Sequence, residues 1–308
     1  MIREVRAFFE EADFLEVETP LLVPSPGLDV HLDAFAVSLG NAASSSGTAP
    51  PPSPQALGYL VTSPEYQMKR LLAEGYPRIV QIARCFRRDE SGGLHNPEFT
   101  MLEWYRAHAG MADVMADTEA LVARVTGGGI VLGGRTLAAR PPFPRMTVAE
   151  AFGRFAKVSE DEMLAWARSD EDRFFRVWVE TVDPALARLP EPTFVVEYPA
   201  EFASLARRKP GDPRYAERFE LYVAGVELCN GFGELVDAAE QRARLEADQE
   251  TRRARGLPVY PIDERFLAAL EAGMPESGGN ALGLDRLVAL AEGLATIEPT
   301  LSFTAREL

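Results

Sequence analysis

Apolar and polar positions alternate with clear periods along this chain. Ile2, Val5, Phe8 and Phe9 recur at helical spacing, which predicts an amphipathic helix at the start. Phe14 to Thr19 then alternates apolar with acidic or polar residues and stops at Pro20, the pattern of a strand. Asn41 to Gly58 turns to Ala, Ser, Pro and Gly, with Pro50-Pro51-Pro52 in its midst. It has too few apolar groups to offset its ordering entropy and reads as a loop. Tyr59-Leu60-Val61 resumes a strand at once, so that loop lies inside a domain.

Ser63 to Leu72 reads as a helix, with Ser63 as N-cap, Pro64 in the first turn and Glu65 after it. Ile79 to Ala83 and Phe99 to Tyr105 are predicted strands around a polar loop. Gly127-Gly128-Gly129 and Gly133-Gly134 punctuate a hairpin. Thr147 to Trp178 is mainly helical and predicts a small inserted subdomain, about 147–190. Phe194 to Tyr198, Phe219 to Val223 and Val226 to Cys229 are further strands. Asp237 caps a charged helix that runs to Arg255 and ends at Gly256-Leu257-Pro258. Leu284, Leu287, Val288 and Ala291 mark a last amphipathic helix. No internal repeat is visible. Strands that pair locally, with helices interrupting them late, predict an α+β fold built on a mostly antiparallel sheet flanked by helices.

Composition narrows the partners. The 308 residues carry 32 Lys+Arg against 47 Asp+Glu, a net charge of −15. That balance argues against nonspecific coating of nucleic acid, which needs surplus cations. No apolar run reaches the roughly 18 residues of a membrane span. Met1 to Arg6 lacks the apolar core of a signal peptide, so a cytoplasmic protein is expected. Cys85 and Cys229 form neither a disulfide framework nor a zinc motif.

Three segments can carry chemistry. In Phe86-Arg87-Arg88-Asp89-Glu90-Ser91-Gly92-Gly93-Leu94-His95-Asn96-Pro97-Glu98-Phe99, Arg87 sits where a strand turns into a polar loop. Arginine there can hold phosphate oxygens bidentately, and Phe99 on the return strand can stack on a base. An ordinary hairpin with a surface arginine and a core phenylalanine is the alternative. In Phe219 to Glu234, Ala224-Gly225 suits a two-residue hairpin loop, which sets Tyr222 opposite Glu227 and places Glu220 on the face of Tyr222. Glu220 and Glu227 then lie on the order of 7 Å apart, a spacing that a Mg²⁺ ion with substrate phosphates would suit. A solvated acidic face is the alternative. Asn230 and Glu234 follow, and with Glu65, Glu103 and Tyr105 they suit an ammonium-bearing ligand. In Gly278-Gly279-Asn280-Ala281-Leu282-Gly283-Leu284-Asp285-Arg286, glycines permit close backbone approach to a ligand, and Arg286 falls in the first turn of a helix. A glycine-rich turn into a core helix, with Asp285 complementing the dipole, is the alternative.

These segments, in this order, resemble the signature motifs of class II aminoacyl-tRNA synthetases. The first helix with Glu16-Val17-Glu18-Thr19-Pro20 looks like motif 1, Phe86 to Tyr105 like motif 2, and Gly279 to Arg286 like motif 3. The resemblance spans nearly the whole chain and implies the class II catalytic core and a homodimer. Thr62-Ser63-Pro64-Glu65 and Asn230-Gly231-Phe232-Gly233-Glu234-Leu235 narrow it to the lysyl branch. The chain starts almost at motif 1, so no anticodon-binding barrel is expected, and Ala281 stands where lysyl-tRNA synthetases carry glycine. Both features are similar to a truncated subfamily, the elongation factor P–(R)-β-lysine ligases. So are Glu197-Tyr198-Pro199-Ala200, Arg255-Gly256-Leu257-Pro258 and Gly273-Met274-Pro275.

The resemblance implies ATP and Mg²⁺ as cofactors, (R)-β-lysine or lysine as substrate and elongation factor P as partner, with neither tRNA nor a membrane expected. Arg87 would hold the α-phosphate and Arg286 the γ-phosphate, as the catalytic pair. Arg88, Asp89, His95, Asn96, Phe99, Glu227, Leu228 and Gly283 would complete the nucleotide site, with Phe99 on adenine. Glu220 and Glu227 would hold Mg²⁺. Ser63, Pro64, Glu65, Glu103, Tyr105, Asn230, Glu234 and Ala281 would shape the amino-acid pocket. Asp89 stands where motif 2 carries glutamate, so its reach to adenine would run through water. A minimal ligase charging tRNA and a non-catalytic regulatory paralogue are the alternative functions.

Overall fold

A computed structural model describes residues 1–38 and 56–307. Helix α1 (Ile2–Glu11) buries Val5 and Phe9, and the Phe9 ring lies 5.1 Å from Phe14 and 5.3 Å from Trp104. The alternation that follows yields only a two-residue strand, β1 (Leu15–Glu16). It is an edge strand in parallel pairing, and beyond one further bond from Val17 N to Val80 O the chain leaves the sheet, with the Thr19 hydroxyl donating to Gln81 at 3.0 Å. Strands β2 (Leu22–Val23), β3 (Ala36–Ser38) and β4 (Ala56–Leu60) form a small sheet in the order β2-β4-β3. The expected loop over Asn41–Gly58 lies outside the described residues except for 56–58, which belong to β4.

Helix α2 (Glu65–Ala73) starts one residue later than a Ser63 cap would put it, with Pro64 at the cap position. The expected capping contact of Ser63 is nevertheless present: its hydroxyl accepts from Glu65 N at 3.3 Å while donating to Glu103 at 2.7 Å. Strands β5 (Arg78–Phe86) and β6 (Glu98–Ala107) form a long hairpin whose tip is the polar loop 87–97. Helix α3 (Met111–Thr126), in a stretch where pattern alone assigned no element, buries Val114, Met115, Leu121 and Val122. The glycine-punctuated hairpin is β7 (Gly129–Leu132) and β8 (Arg135–Ala138), turning at Gly133-Gly134.

After β9 (Arg145–Thr147) comes the helical insertion: α4 (Val148–Ala151), α5 (Glu160–Ser169), α6 (Glu171–Val177) and α7 (Asp183–Leu186), joined through π-helical turns at Phe152–Ala156 and Trp178–Val182. Phe152, Trp166, Phe174 and Trp178 pack there against Tyr198 and Tyr222, so the insertion has its own core and rests on one end of the sheet. The chain continues through β10 (Thr193–Pro199), β11 (Tyr215–Val223), β12 (Val226–Gly233), α8 (Ala238–Ala254), α9 (Glu264–Gly273), β13 (Ser277–Gly283) and α10 (Leu284–Ala291). Asp237 caps α8 as expected, accepting from Glu240 N at 2.9 Å. Neither α9 nor the strand character of the glycine-rich β13 was apparent from the pattern.

Among the described residues, eight strands form one sheet in the order β1-β5-β6-β13-β12-β11-β10-β9, antiparallel within and parallel only at its two edges. This is the expected α+β core. Leu102, Leu282, Cys229 and Leu221 pair across it and face the main core with α1, α3 and α10. On the opposite face, Gln81, Glu103, Ala281, Asn230 and Glu220 are register partners, one row of side chains across five strands. That row is the floor of the candidate site.

Candidate active site

The side expected to take phosphate is built at strand ends. Arg87 leaves β5 with its N–H bonded to Pro97 O at 2.9 Å, which pinches the polar loop closed at its base. The side chain lines a cavity of about 570 Å³, and its guanidinium carbon lies 5.1 Å from the centre of the Phe99 ring. Its Nε is buried without a partner. Arg286 sits in the first turn of α10 and enters the same cavity, donating to Glu227 O at 2.8 Å and Leu94 O at 3.2 Å. Its third nitrogen lies 2.6 Å from His95 Nε2. A guanidinium only donates, so this imidazole nitrogen is the acceptor. Burial, reinforced by Arg286, lowers the His95 pKa and keeps the ring neutral. Asn96, Leu228 and Gly283 also line the cavity. The Asn96 amide is engaged locally, donating to Glu98 O at 2.6 Å and accepting from Ala305 N at 3.0 Å. Asp285 does more than complement a dipole: it accepts from Thr100 N at 2.7 Å and pins α10 to β6.

The acidic pair depends on a bulge. Tyr222 pairs with Glu227, as the two-residue turn requires, but Leu221 pairs with Cys229 and Glu220 with Asn230. β12 therefore holds one extra residue, Leu228. In an unbroken strand Glu227 would share the face of Cys229, which is buried in the core. The bulge turns it onto the face of Glu220. The two carboxyls then have unequal surroundings. Glu220 accepts from Arg218 at 2.6 Å and from the Tyr222 hydroxyl at 2.8 Å. Glu227 lines the cavity, and burial, with Glu220 adding to it, pushes its pKa up to about 7. No group of three or more His, Cys, Asp or Glu among the described residues could hold a metal ion by itself. Glu227 fits a cation shared with phosphate oxygens, which needs only one or two protein carboxylates. Glu220 fits one less well, because both its oxygens are taken.

The side expected to take the amino acid is closed. Glu103 is buried and accepts from Ser63 at 2.7 Å and from the Tyr105 hydroxyl at 2.5 Å. Burial, with Glu65 adding to it, pushes its carboxyl up to about 8. Glu65 and Glu234 each lie 2.6 Å from Lys69 Nζ, a side chain with no exposed surface. Burial pushes Glu234 up to about 7 against the pull of Lys69. Glu234 Oε1 and Asn230 Oδ1 are buried and unpartnered. Gly279 is indispensable to this packing: a Cβ there would sit 2.2 Å from the Tyr105 ring and 2.4 Å from Glu234 Oε1. At Gly278 a Cβ would meet Gly110 O at 2.6 Å. These two glycines make room for the protein itself, where the sequence suggested room for a ligand. Ala281 lines the cavity, in the row between Glu103 and Asn230.

The whole chain can be placed among known proteins. Residues 1–307 match the family model of the tRNA synthetases class II (D, K and N). Elongation factor P–(R)-β-lysine ligase from Proteus mirabilis (strain HI4320) is 42% identical over 98% of this chain and 92% of its own. The proteins of the same name from Edwardsiella ictaluri (strain 93-146), at 41%, and Enterobacter sp. (strain 638), at 40%, each align with 99% of this chain and 92% of theirs. The chain belongs to the elongation factor P–(R)-β-lysine ligase family of class II synthetases.

Not every residue expected from the family motifs enters the cavity. Arg88 turns to Asp33, bonding its carboxylate at 2.6 Å and its carbonyl at 2.7 Å. Asp89 is exposed and pairs with Arg88 at 3.1 Å. Neither lines the cavity; the carboxylate beside Arg87 is Glu90, at 3.6 Å. Asp33 is also held by the enclosed Arg252 of α8, which donates to Asp29 O at 2.7 Å and Leu32 O at 3.0 Å and lies over the Tyr260 ring. Pro64, Glu220 and the Ser63, Glu65, Glu103, Tyr105 and Glu234 group lie outside the cavity wall. The sequence reading missed Lys69 and Arg218. Lys69 could have been found by its i,i+4 spacing from Glu65 on α2; Arg218 shares the face of Glu220 by the period of two, and that was the available signal.

Proposed function

We propose that this protein uses ATP to activate (R)-β-lysine as an adenylate and transfers the β-lysyl group to a lysine ε-amine of elongation factor P. The observation that carries this reading is the convergence of Arg87 and Arg286, from segments far apart in sequence, on one cavity beside a buried acidic cluster. In the first step the substrate carboxylate attacks the α-phosphorus and pyrophosphate leaves. The nucleophile is already ionised, so no protein base is required. Arg87 aligns the α-phosphate and Arg286 the departing phosphates, and both stabilise charge that develops on phosphate oxygens. Glu227, with Glu220 behind it, would hold Mg²⁺, which supplies further charge neutralisation on the phosphates when bound. In the second step a neutral lysine amine attacks the acyl carbon, AMP leaves, and the amine loses a proton to give an amide.

In this reading the chain is one catalytic unit with a helical insertion at about 147–190. Its acceptor is a protein rather than tRNA, in line with a net charge of −15. Ile2, Leu15, Leu21 and Leu22 are large apolar side chains exposed around α1 and the adjoining strands, which supports a homodimer there. No helix among the described residues is long and apolar enough to cross a membrane, and a cytoplasmic location fits the proposed partner. The test is intact-mass analysis of elongation factor P after incubation with the protein, ATP and each lysine isomer. Addition of one lysyl residue, fastest with (R)-β-lysine, is expected. Charging of tRNA without modification of elongation factor P would overturn the assignment.

A further inference from the structure

Lys69 occupies the place where the sequence led one to expect only the substrate's ammonium. Its Nζ lies 2.6 Å from Glu65 and 2.6 Å from Glu234, and its side chain is fully enclosed. The charged and titratable groups around it come from four directions. Glu65 shares α2 with it; Glu103 and Tyr105 come from β6; Glu234 comes from the end of β12; Arg207, paired with Glu217 at 2.6 Å, approaches Glu234 from the loop before β11. The Glu103 charge also reaches the buried Cys85 of β5. The cluster thus contains three carboxyl groups, Glu65, Glu103 and Glu234, around a single enclosed ammonium.

We propose that Lys69 is a positioning and specificity residue: its single positive charge, shared between Glu65 and Glu234, offsets one of the three carboxylates the cluster can form and leaves the capacity of two, which matches a diamino acid. This rests on the reading that the protein activates such an amino acid. Burial opposes the charge on Lys69, but Glu234 and Glu65 together hold its pKa above the ordinary lysine value, so the ammonium is a fixed charge. Burial raises Glu103 and Glu234 far enough for protons to reside on them near neutral pH. Unpartnered Glu234 Oε1 and Asn230 Oδ1 are acceptors that an incoming ammonium would satisfy. Binding a substrate with two ammonium groups therefore ionises these carboxyls and expels protons, and affinity rises with pH through neutrality. Without Lys69 the carboxyls would lose the cation that favours their ionised forms, and that rise would move to higher pH.

The experiment begins with the unaltered chain. Calorimetric titration with (R)-β-lysine in buffers of different ionisation enthalpy should register net proton release. Lys69→Met, which keeps the length and removes the charge, should raise the KM for (R)-β-lysine about 10–100-fold at neutral pH, the scale of a hydrogen bond to a charged group. It should displace the pH profile of that KM upward and leave the KM for ATP unchanged. Preference for (R)-β-lysine over an analogue bearing methyl in place of the terminal ammonium should fall. Binding without proton release, or a Lys69→Met profile that keeps its midpoint, overturns the role given to Lys69 while leaving activation of the amino acid intact. Absence of ATP–pyrophosphate exchange with any diamino acid overturns both. A Lys69→Met chain that fails to fold leaves the proton count on the unaltered protein as the deciding result.

Discussion

The two halves of the site solve opposite electrostatic problems. On the side expected to take phosphate, cationic Arg87 and Arg286 project into an open cavity of about 570 Å³; Arg286 bonds two backbone carbonyls and a neutral imidazole, and Arg87 lies beside the Phe99 ring and the Glu90 carboxylate. On the side expected to take the amino acid, Glu103 and Glu234 are buried and raised by that burial, and Glu234 and Glu65 are already paired with an internal ammonium. One half is preformed and charged; the other is charge-neutralised until a cation arrives. In the proposed reaction the amino acid, unlike the nucleotide, enters only with a rearrangement of charge, so selectivity is expected in the second half.

Removing a charge from the open half should have the largest effect. Arg87→Ala is expected to lower ATP–pyrophosphate exchange by roughly 10²–10³-fold, the scale for deleting a preorganised donor at developing charge, with the circular dichroism spectrum unchanged. Near-normal exchange would remove Arg87 from the mechanism. Glu234→Gln tests the closed half: the KM for (R)-β-lysine should rise about 10–100-fold while the KM for ATP stays put. Equal loss for both substrates would erase the division between halves. The smallest effect belongs to Ala281, on the boundary. Ala281→Gly deletes one methyl group from the cavity wall and should move the ratio of (R)-β-lysine to α-lysine activation toward α-lysine by no more than ~1–3 kcal/mol. An unchanged ratio in competition assays would place isomer choice elsewhere.

Much of this was legible in the sequence because it follows from short-range rules. The turn at Ala224-Gly225 set Tyr222 against Glu227, and the structure keeps that pairing. Arg286 was placed by helical phase, and Asp237 by capping chemistry. What escaped depends on the third dimension. The bulge at Leu228 has no local signature, yet it directs Glu227 away from the core. Gly278 and Gly279 looked like a turn because nothing local reveals that α3, Tyr105 and Glu234 press against β13 from either side. Lys69 reads as a surface residue of an ordinary helix until the end of β12 brings Glu234 over it. Arg88 and Asp89 belong to the phosphate motif by position, but Asp33, 55 residues from Arg88 in sequence, draws Arg88 outward.

That Asp33 anchor has a thermodynamic corollary. Arg252 grips Asp33 and the carbonyls beside it, Arg88 grips it from the other side, and residues 29–32 border the cavity. Residues 29–33, the root of the polar loop 87–97 and the last turn of α8 are thereby fastened at a single point. None can swing outward while the others stay docked, so these three segments constitute one cooperative unit of local unfolding rather than three independently breathing loops.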